Sequence, residues 1–195
     1  MADDSQRPTP DAPSGSDTDD PTADPEVIDG QGLVARFVGA GILREDEEVD
    51  DLRLTDEFRA DWWERINGYR DDDRTRREMA RFAEVDPETV TLDETGDGRF
   101  VVYHGEAKLG EWPSRAAFIA DLALQPTIKS WLPVWDRIDP VSRGNLLARI
   151  RAFLETCPSC MGLLEVEEQT DAETGRDEVS VACEDCGQVM VSGEL

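Results

Sequence analysis

Cys157-Pro158-Ser159-Cys160 and Cys183-Glu184-Asp185-Cys186 constrain this chain more than any other stretch. They are two Cys-x2-Cys pairs separated by a spacer of 22 residues, 161 to 182, and they use all four cysteines of the protein. Thiolates two residues apart can grip one metal ion from a single tight turn, and two such turns supply a complete tetrahedral set, the arrangement that Zn2+ favours in structural sites. Four sulfur ligands leave no open position for water or substrate. The expected cofactor is therefore one structural zinc ion held by Cys157, Cys160, Cys183 and Cys186, with no catalytic part for the metal.

Around these pairs the pattern is that of a small antiparallel ribbon. Leu164 and Val166 alternate with charged residues, Asp171 to Gly175 supplies a turn, and Val179 and Val181 alternate with Glu178 and Ser180 before Val189 and Val191. Pro158 stiffens the first turn, and Gly162 and Gly187 let the chain bend so that amides face sulfur. The first pair resembles the Cys-Pro-x-Cys knuckle of the zinc-ribbon family and the second its Cys-x-x-Cys-Gly knuckle. The resemblance covers residues 156 to 195 and implies a purely structural zinc. Two departures stand out: Met161 delays the first glycine by one place, and the spacer exceeds the usual ~15 to 20 residues. Iron in a rubredoxin-like site, an iron-sulfur cluster and a redox-active thiol pair are the competing readings. The glycine-bearing turns, the strand-forming spacer and the matched pairs favour zinc.

Charge is the second constraint. Forty-five acids against twenty basic residues give a formal net charge of -25, and only Lys108 and Lys129 are lysines. This composition resembles that of salt-in halophile proteins, whose molar salt shortens the Debye length to about 3 Å and screens self-repulsion. Five tryptophans and 38% hydrophobic residues speak against an acidic disordered chain. The best apolar run, 116 to 120, stops at Asp121, far short of a membrane span of about 20 residues, and the acidic start is unlike a signal peptide. A cytoplasmic location is expected, and a reducing cytoplasm favours metal over disulfides.

Residues 1 to 24 are rich in Asp, Pro, Ser and Thr and read as a disordered leader, and residues 25 to 155 read as an α+β body. Asp24-Pro25-Glu26 offers a helix start; Leu33, Val34, Phe37 and Val38 recur at helical spacing; Gly39 and Gly41 end that helix. A short hairpin through Ile42-Leu43 and Leu52-Arg53-Leu54 follows, then a helix capped by Thr55 with Phe58, Trp62, Ile66 and Tyr69 on one stripe. This order over residues 30 to 70 resembles the second half of a winged-helix domain, which implies that the hairpin is a wing; a plain helix-hairpin-helix packing unit is the competing reading. A helix from Arg74 to Ala83 is expected to turn Met79 and Phe82 inward, with Arg74, Arg77 and Arg81 on one self-paired face.

From Thr89 the period becomes two, predicting a meander of three strands: Val90 to Leu92, Phe100 to Tyr103, and Ala107 to Gly110, with a two-residue turn at His104-Gly105. Ser114 caps the next helix, Gln125-Pro126 is expected to open a separate segment, and Trp131 and Trp135 are expected to share a buried wall. Asp139-Pro140 opens a helix carrying Leu147, Ile150 and Leu154 toward Cys157. The fold class is thus α+β: helices with a three-stranded antiparallel meander, plus a small C-terminal zinc ribbon.

No catalytic set is recognisable. Gly39-Ala40-Gly41 lacks the third glycine of a dinucleotide loop, the stretch from Asp93 has Thr95 where a calcium loop usually has an acid and His104 where its closing Glu belongs, and His104 stands alone at a hairpin tip. The leading expectation is a non-enzymatic adaptor or regulator whose ribbon contacts a protein, or nucleic acid, in a high-salt cytoplasm. The alternative is an enzyme with its active site in the body and a purely structural zinc. Because the ribbon offers few large apolar side chains, it is expected to be a satellite that touches the body mainly through the helix leading into it.

Overall fold

The computed structural model describes residues 30–46, 51–170 and 177–194. The expected leader and the helix start at Asp24 lie outside them. Helix α1 (Gly30–Gly39) ends where Gly41 takes a positive φ of 74°, and strands β1 (Leu43–Asp46) and β2 (Asp51–Leu54) form an antiparallel hairpin. Its tip, 47–50, is outside the described residues. Thr55 then starts α2 (Asp56–Gly68): its Oγ1 accepts the Phe58 N–H and donates to the Gly41 carbonyl at 2.5 Å, so one hydroxyl both caps α2 and ties it to the end of α1. Phe58, Trp62 and Ile66 are buried at the expected spacing, and Trp62 Nε1 donates to the Ala120 carbonyl at 3.0 Å.

Helix α3 (Asp72–Ala83) begins earlier than the arginine run, because the Asp71 carboxylate accepts the Arg74 N–H and serves as the cap. Its arginines are largely spent locally: Arg76 pairs with Asp73, Arg81 with Glu78, and Arg74 lies over the Tyr69 ring. One expectation fails here. Met79 is buried, but Phe82 is 53% exposed, standing at the mouth of a cleft rather than in the core.

Strands β3 (Val90–Glu94), β4 (Phe100–His104) and β5 (Ala107–Trp112) form the meander, in the order β3-β4-β5. The turn sits one residue later than expected. His104 pairs with Val90 and Ala107, and Gly105, at φ 59°, starts the turn, a geometry that glycine adopts without strain. Phe100 stacks on Phe118 at 4.9 Å between ring centres, and Trp112 meets the same ring edge-on at 4.8 Å.

The centre of the molecule is α4 (Arg115–Trp131), which corrects the expected break at Gln125-Pro126. Pro126 lies inside the helix. The ~3 kcal/mol that an interior proline costs is outweighed by packing, since Leu124, Thr127 and Ile128 on either side are fully buried. Trp131 and Trp135 do not form one wall. Trp131 ends α4 and donates to Asp61, whereas Trp135 is buried in a 3-10 turn, Pro133–Arg137. Helix α5 (Pro140–Arg151) starts at Asp139, whose carboxylate accepts from both Val141 and Ser142.

Strands β6 (Leu164–Thr170), β7 (Asp177–Cys183) and β8 (Val189–Glu194) make the second meander, in the order β6-β7-β8. The expected satellite is corrected: β8 packs on both α4 and α5, and Met190, Cys157 and Cys183 belong to the same apolar core as Phe58 and Phe118. The docking is polar as well as apolar, which explains how a ribbon poor in large side chains holds on. Ser114 Oγ donates to the Val189 carbonyl at 2.7 Å, Arg151 Nε donates to the Met190 carbonyl at 2.6 Å, and Ala116 N–H donates to Gln188 Oε1 at 2.8 Å. Among the described residues no helix is long and apolar enough to cross a membrane.

Candidate metal centre

The two Cys-x2-Cys turns fold into the same shape. In the first, Cys157 N–H donates to the Gly162 carbonyl and Met161 N–H returns to the Cys157 carbonyl; in the second, Cys183 N–H donates to Gln188 and Gly187 N–H returns to Cys183. The residue four places after the first cysteine is left-handed in both, Met161 at φ 70° and Gly187 at φ 69°. Met161 thus does not delay the glycine but stands in its place. Gly162 is needed for another reason: a Cβ there would run into the Asp185 carboxylate of the opposite turn.

These matched turns bring the four sulfurs of Cys157, Cys160, Cys183 and Cys186 within 4.8 Å of one another. Cys160 Sγ lies 3.4 Å from both Cys183 Sγ and Cys186 Sγ, and Cys157 Sγ lies 3.8 Å from Cys186 Sγ. A tetrahedral ion with metal–sulfur bonds of about 2.3 Å sets its ligands about 3.8 Å apart, so the cluster has the size to hold one ion. Cys157 and Cys183 are buried while Cys160 and Cys186 face outward. The site is therefore anchored to the core on one side and open to ion arrival on the other.

As thiols, Cys157, Cys160 and Cys186 differ. Burial raises the Cys157 thiol, and burial of its sulfur among the others pushes the Cys186 thiol up to about 12, although that residue as a whole is exposed. Cys160 is held down, chiefly by the Gly162 N–H, which points at its sulfur from 3.4 Å. An ion that binds here displaces protons from crowded thiols, which couples metal loading to pH.

Further residues support the centre without any signature in the sequence. Gln188 Oε1 accepts both from Ser159 Oγ at 3.1 Å and from the Ala116 amide in the first turn of α4, so one side-chain oxygen links the first knuckle to the body. Arg70 Nε donates to the Pro158 carbonyl at 3.0 Å and its guanidinium reaches the Met161 sulfur. On the far side of β8, Asp121 and Arg151 form an ion pair only 7% and 4% exposed, and Trp112 Nε1 donates to the same carboxylate oxygen. Burial raises the Asp121 carboxyl, with Arg151 and Trp112 acting against it. Asp121 was readable only as a polar interruption of an apolar helix face. An isolated aspartate carries no signal in a chain with forty-five acids.

The other residues singled out in the sequence do not assemble. Thr95 bonds to Asp97 and to the Arg99 carbonyl in an ordinary turn, and His104 sits in the β4 ladder. The arrangement as a whole defines an α+β protein whose C-terminal ribbon, docked on a helical core, is competent to hold a metal ion. Residues 32–152 match the family described as "Family of unknown function (DUF8054) central domain", which is more than half of the chain, and the protein belongs to that family. The matched stretch contains Asp121 and Arg151 and ends before the first cysteine. Comparison with the curated proteins and with the solved structures returned no match.

Proposed function

We propose that the four cysteines hold one structural zinc ion and that the protein is a non-enzymatic adaptor or regulator, presenting the outer edge of its ribbon to a basic protein in a high-salt cytoplasm. The observation that carries this reading is the make-up of that edge. Met161, Leu163 and Val166 are 53%, 62% and 67% exposed, while Glu165, Glu167 and Glu168 stand exposed beside them. β6 is an edge strand of the ribbon, and an edge with apolar residues framed by acids suits a partner that adds apolar contacts under a basic rim. The same acids work against a phosphate backbone, which makes nucleic acid the weaker partner. An all-sulfur donor set with no open position supports a structural ion, and zinc suits four thiolates in paired knuckles.

Affinity purification in molar potassium chloride, with nuclease treatment, tests the reading by comparing the natural protein with a Leu163→Asp, Val166→Asp variant. The expected result is a protein retained through nuclease treatment by the former and lost from the latter. A partner indifferent to both substitutions, or one released by nuclease, overturns it. Elemental analysis of protein purified without chelator is expected to give one zinc per chain, and iron in its place overturns the metal assignment. A second reading, an enzyme acting from the body, is favoured by one observation: a cleft beside Asp121.

A further inference from the structure

Between α3, α4 and α5 lies a cleft of about 440 Å³. Asp121 and Gln125 line it from α4, Arg143 and Leu147 from α5, and Phe82 and Trp112 from the sides. Asp121 Oδ2 is occupied by Arg151 and Trp112, but Oδ1 has no hydrogen-bond partner among the described residues, in a side chain more than nine-tenths buried. A buried carboxylate oxygen left without a donor is costly. Two donors share that condition further along. Arg143 Nε and Trp135 Nε1 are buried without partners, and Arg143 also lines an adjoining pocket with Trp135. Arg143 precedes Arg151 by eight residues of α5, about 12 Å along the helix, so the two arginines stand at different heights of the cleft.

The cleft is thus bipolar: Asp121 Oδ1 is an acceptor without a donor and Arg143 Nε a donor without an acceptor, whereas Glu111 is already paired with Arg99 and Lys108. A lone cation or a lone anion would satisfy one of these two ends in a half-enclosed apolar site, whereas a zwitterion matches both. Its exposed aromatic, Phe82, needs an apolar neighbour. We propose that this cleft binds a zwitterionic amphipath with the chemistry of an apolar amino acid or dipeptide. The ammonium group donates to Asp121 Oδ1, the apolar side chain lies on Phe82, Trp112 and Leu147, and the carboxylate accepts from Arg143. The site is independent of what the ribbon contacts.

Titration calorimetry and tryptophan fluorescence in molar potassium chloride, on the zinc-loaded full chain, provide the test. The probes are phenylalanine, phenylalanyl-leucine, the N-acetyl form of that dipeptide and its C-terminal amide. The free dipeptide is expected to bind and to quench or shift fluorescence from Trp112, and N-acetylation to weaken binding about tenfold to a hundredfold by removing the charged donor. Asp121→Asn should abolish the distinction between free and N-acetylated probes. Because that change also strands Arg151, two variants at partly exposed residues keep the test independent of folding. Phe82→Ala is expected to weaken all probes roughly tenfold, and Arg143→Met to erase the preference for the carboxylate over the amide, both with unchanged circular dichroism. Absence of binding by the folded natural protein up to roughly 10 mM of either free probe overturns the proposal. So does binding indifferent to N-acetylation, or unchanged in both Phe82→Ala and Arg143→Met.

Discussion

The chain contains two three-stranded meanders of the same design. Both run antiparallel in chain order, and each has a register shift between its second and third strands, at Val102/Tyr103 in one and Val181/Ala182 in the other. What differs is how each is held. The β3-β4-β5 sheet buries Phe100, Val101 and Val102 and packs two aromatic side chains, one stacked and one edge-on, against Phe118 of α4, so apolar area removed from water, at about 25 cal/mol per Å², sustains it. Among the described residues, the β6-β7-β8 sheet buries only Ala182, Cys183 and Met190 of its strands and leaves Val166 in solvent. A sheet with so little area needs a staple, and the four sulfurs at one end with Gln188, Ser114 and Arg151 along its side supply it. One topology thus rests on two different sources of stability.

The largest expected effect separates the two sheets outright. Chelation, or a Cys157→Ser, Cys183→Ser variant, removes a metal contribution of about 10 to 16 kcal/mol, as structural zinc sites typically provide. Hydrogen exchange should then show β6, β7 and β8 losing protection while β3, β4 and β5 keep theirs; simultaneous loss from both sheets would break the comparison. Next come the residues that join sheet to core. Arg151→Met leaves Asp121 buried without its cation and should cost about 3–5 kcal/mol in denaturant unfolding, loosening β8 through the lost Met190 contact. Phe100→Ala should cost about 3–5 kcal/mol without changing metal content, whereas Met190→Ala, at about 2–5 kcal/mol, should lower the stability of both regions together.

Smaller effects sharpen the contrast. Met161→Gly is expected to raise thermal stability by the equivalent of about 1 kcal/mol by relieving a left-handed methionine, and Gly187→Ala to lower it by a similar amount. In acid the regions should part again. The Asp139 carboxyl is held below the usual range by its hydrogen bond with Ser142, and that of Glu111 by Lys108 and Arg99. A depressed folded value means that the stability these carboxylates contribute is complete above the unfolded-chain value and is lost as the pH falls through the folded one. The body should therefore weaken only below about pH 4. The ribbon should release its ion at higher pH, as thiols compete for protons. Circular dichroism and metal release followed over one acid titration check the order.

Much of this architecture was legible because it is local. Thr55, Ser114 and Asp139 each cap the helix that follows by bonds spanning two or three residues, and strand alternation marked the first meander. The cysteine set was legible from spacing alone. What escaped were features decided by partners far away in the chain. Pro126 reads as a breaker until the buried residues around it are known to keep α4 continuous, and Phe82 reads as core until the cleft it borders is seen. Docking of the ribbon rests on side-chain bonds to backbone across 39 to 75 residues, between groups that every sequence contains. Counting large apolar residues in the ribbon underrated the interface for that reason.

The Ser114 bond to the Val189 carbonyl joins groups separated by 75 positions, while the sulfur cluster closes loops of 23 to 29. Shorter closures are faster and lose less chain entropy, so ion capture should precede the seating of β8 on α4. The Ala116 amide, bonded to Gln188 in the finished molecule, then finds its acceptor only after the knuckles have set. Ion supply becomes a kinetic gate on the seating of the ribbon: refolding should show a slow phase in β8 docking whose rate rises with the free metal ion and saturates once knuckle closure no longer limits it. Metal-starved protein would pause with α4 formed and its first turn unsealed.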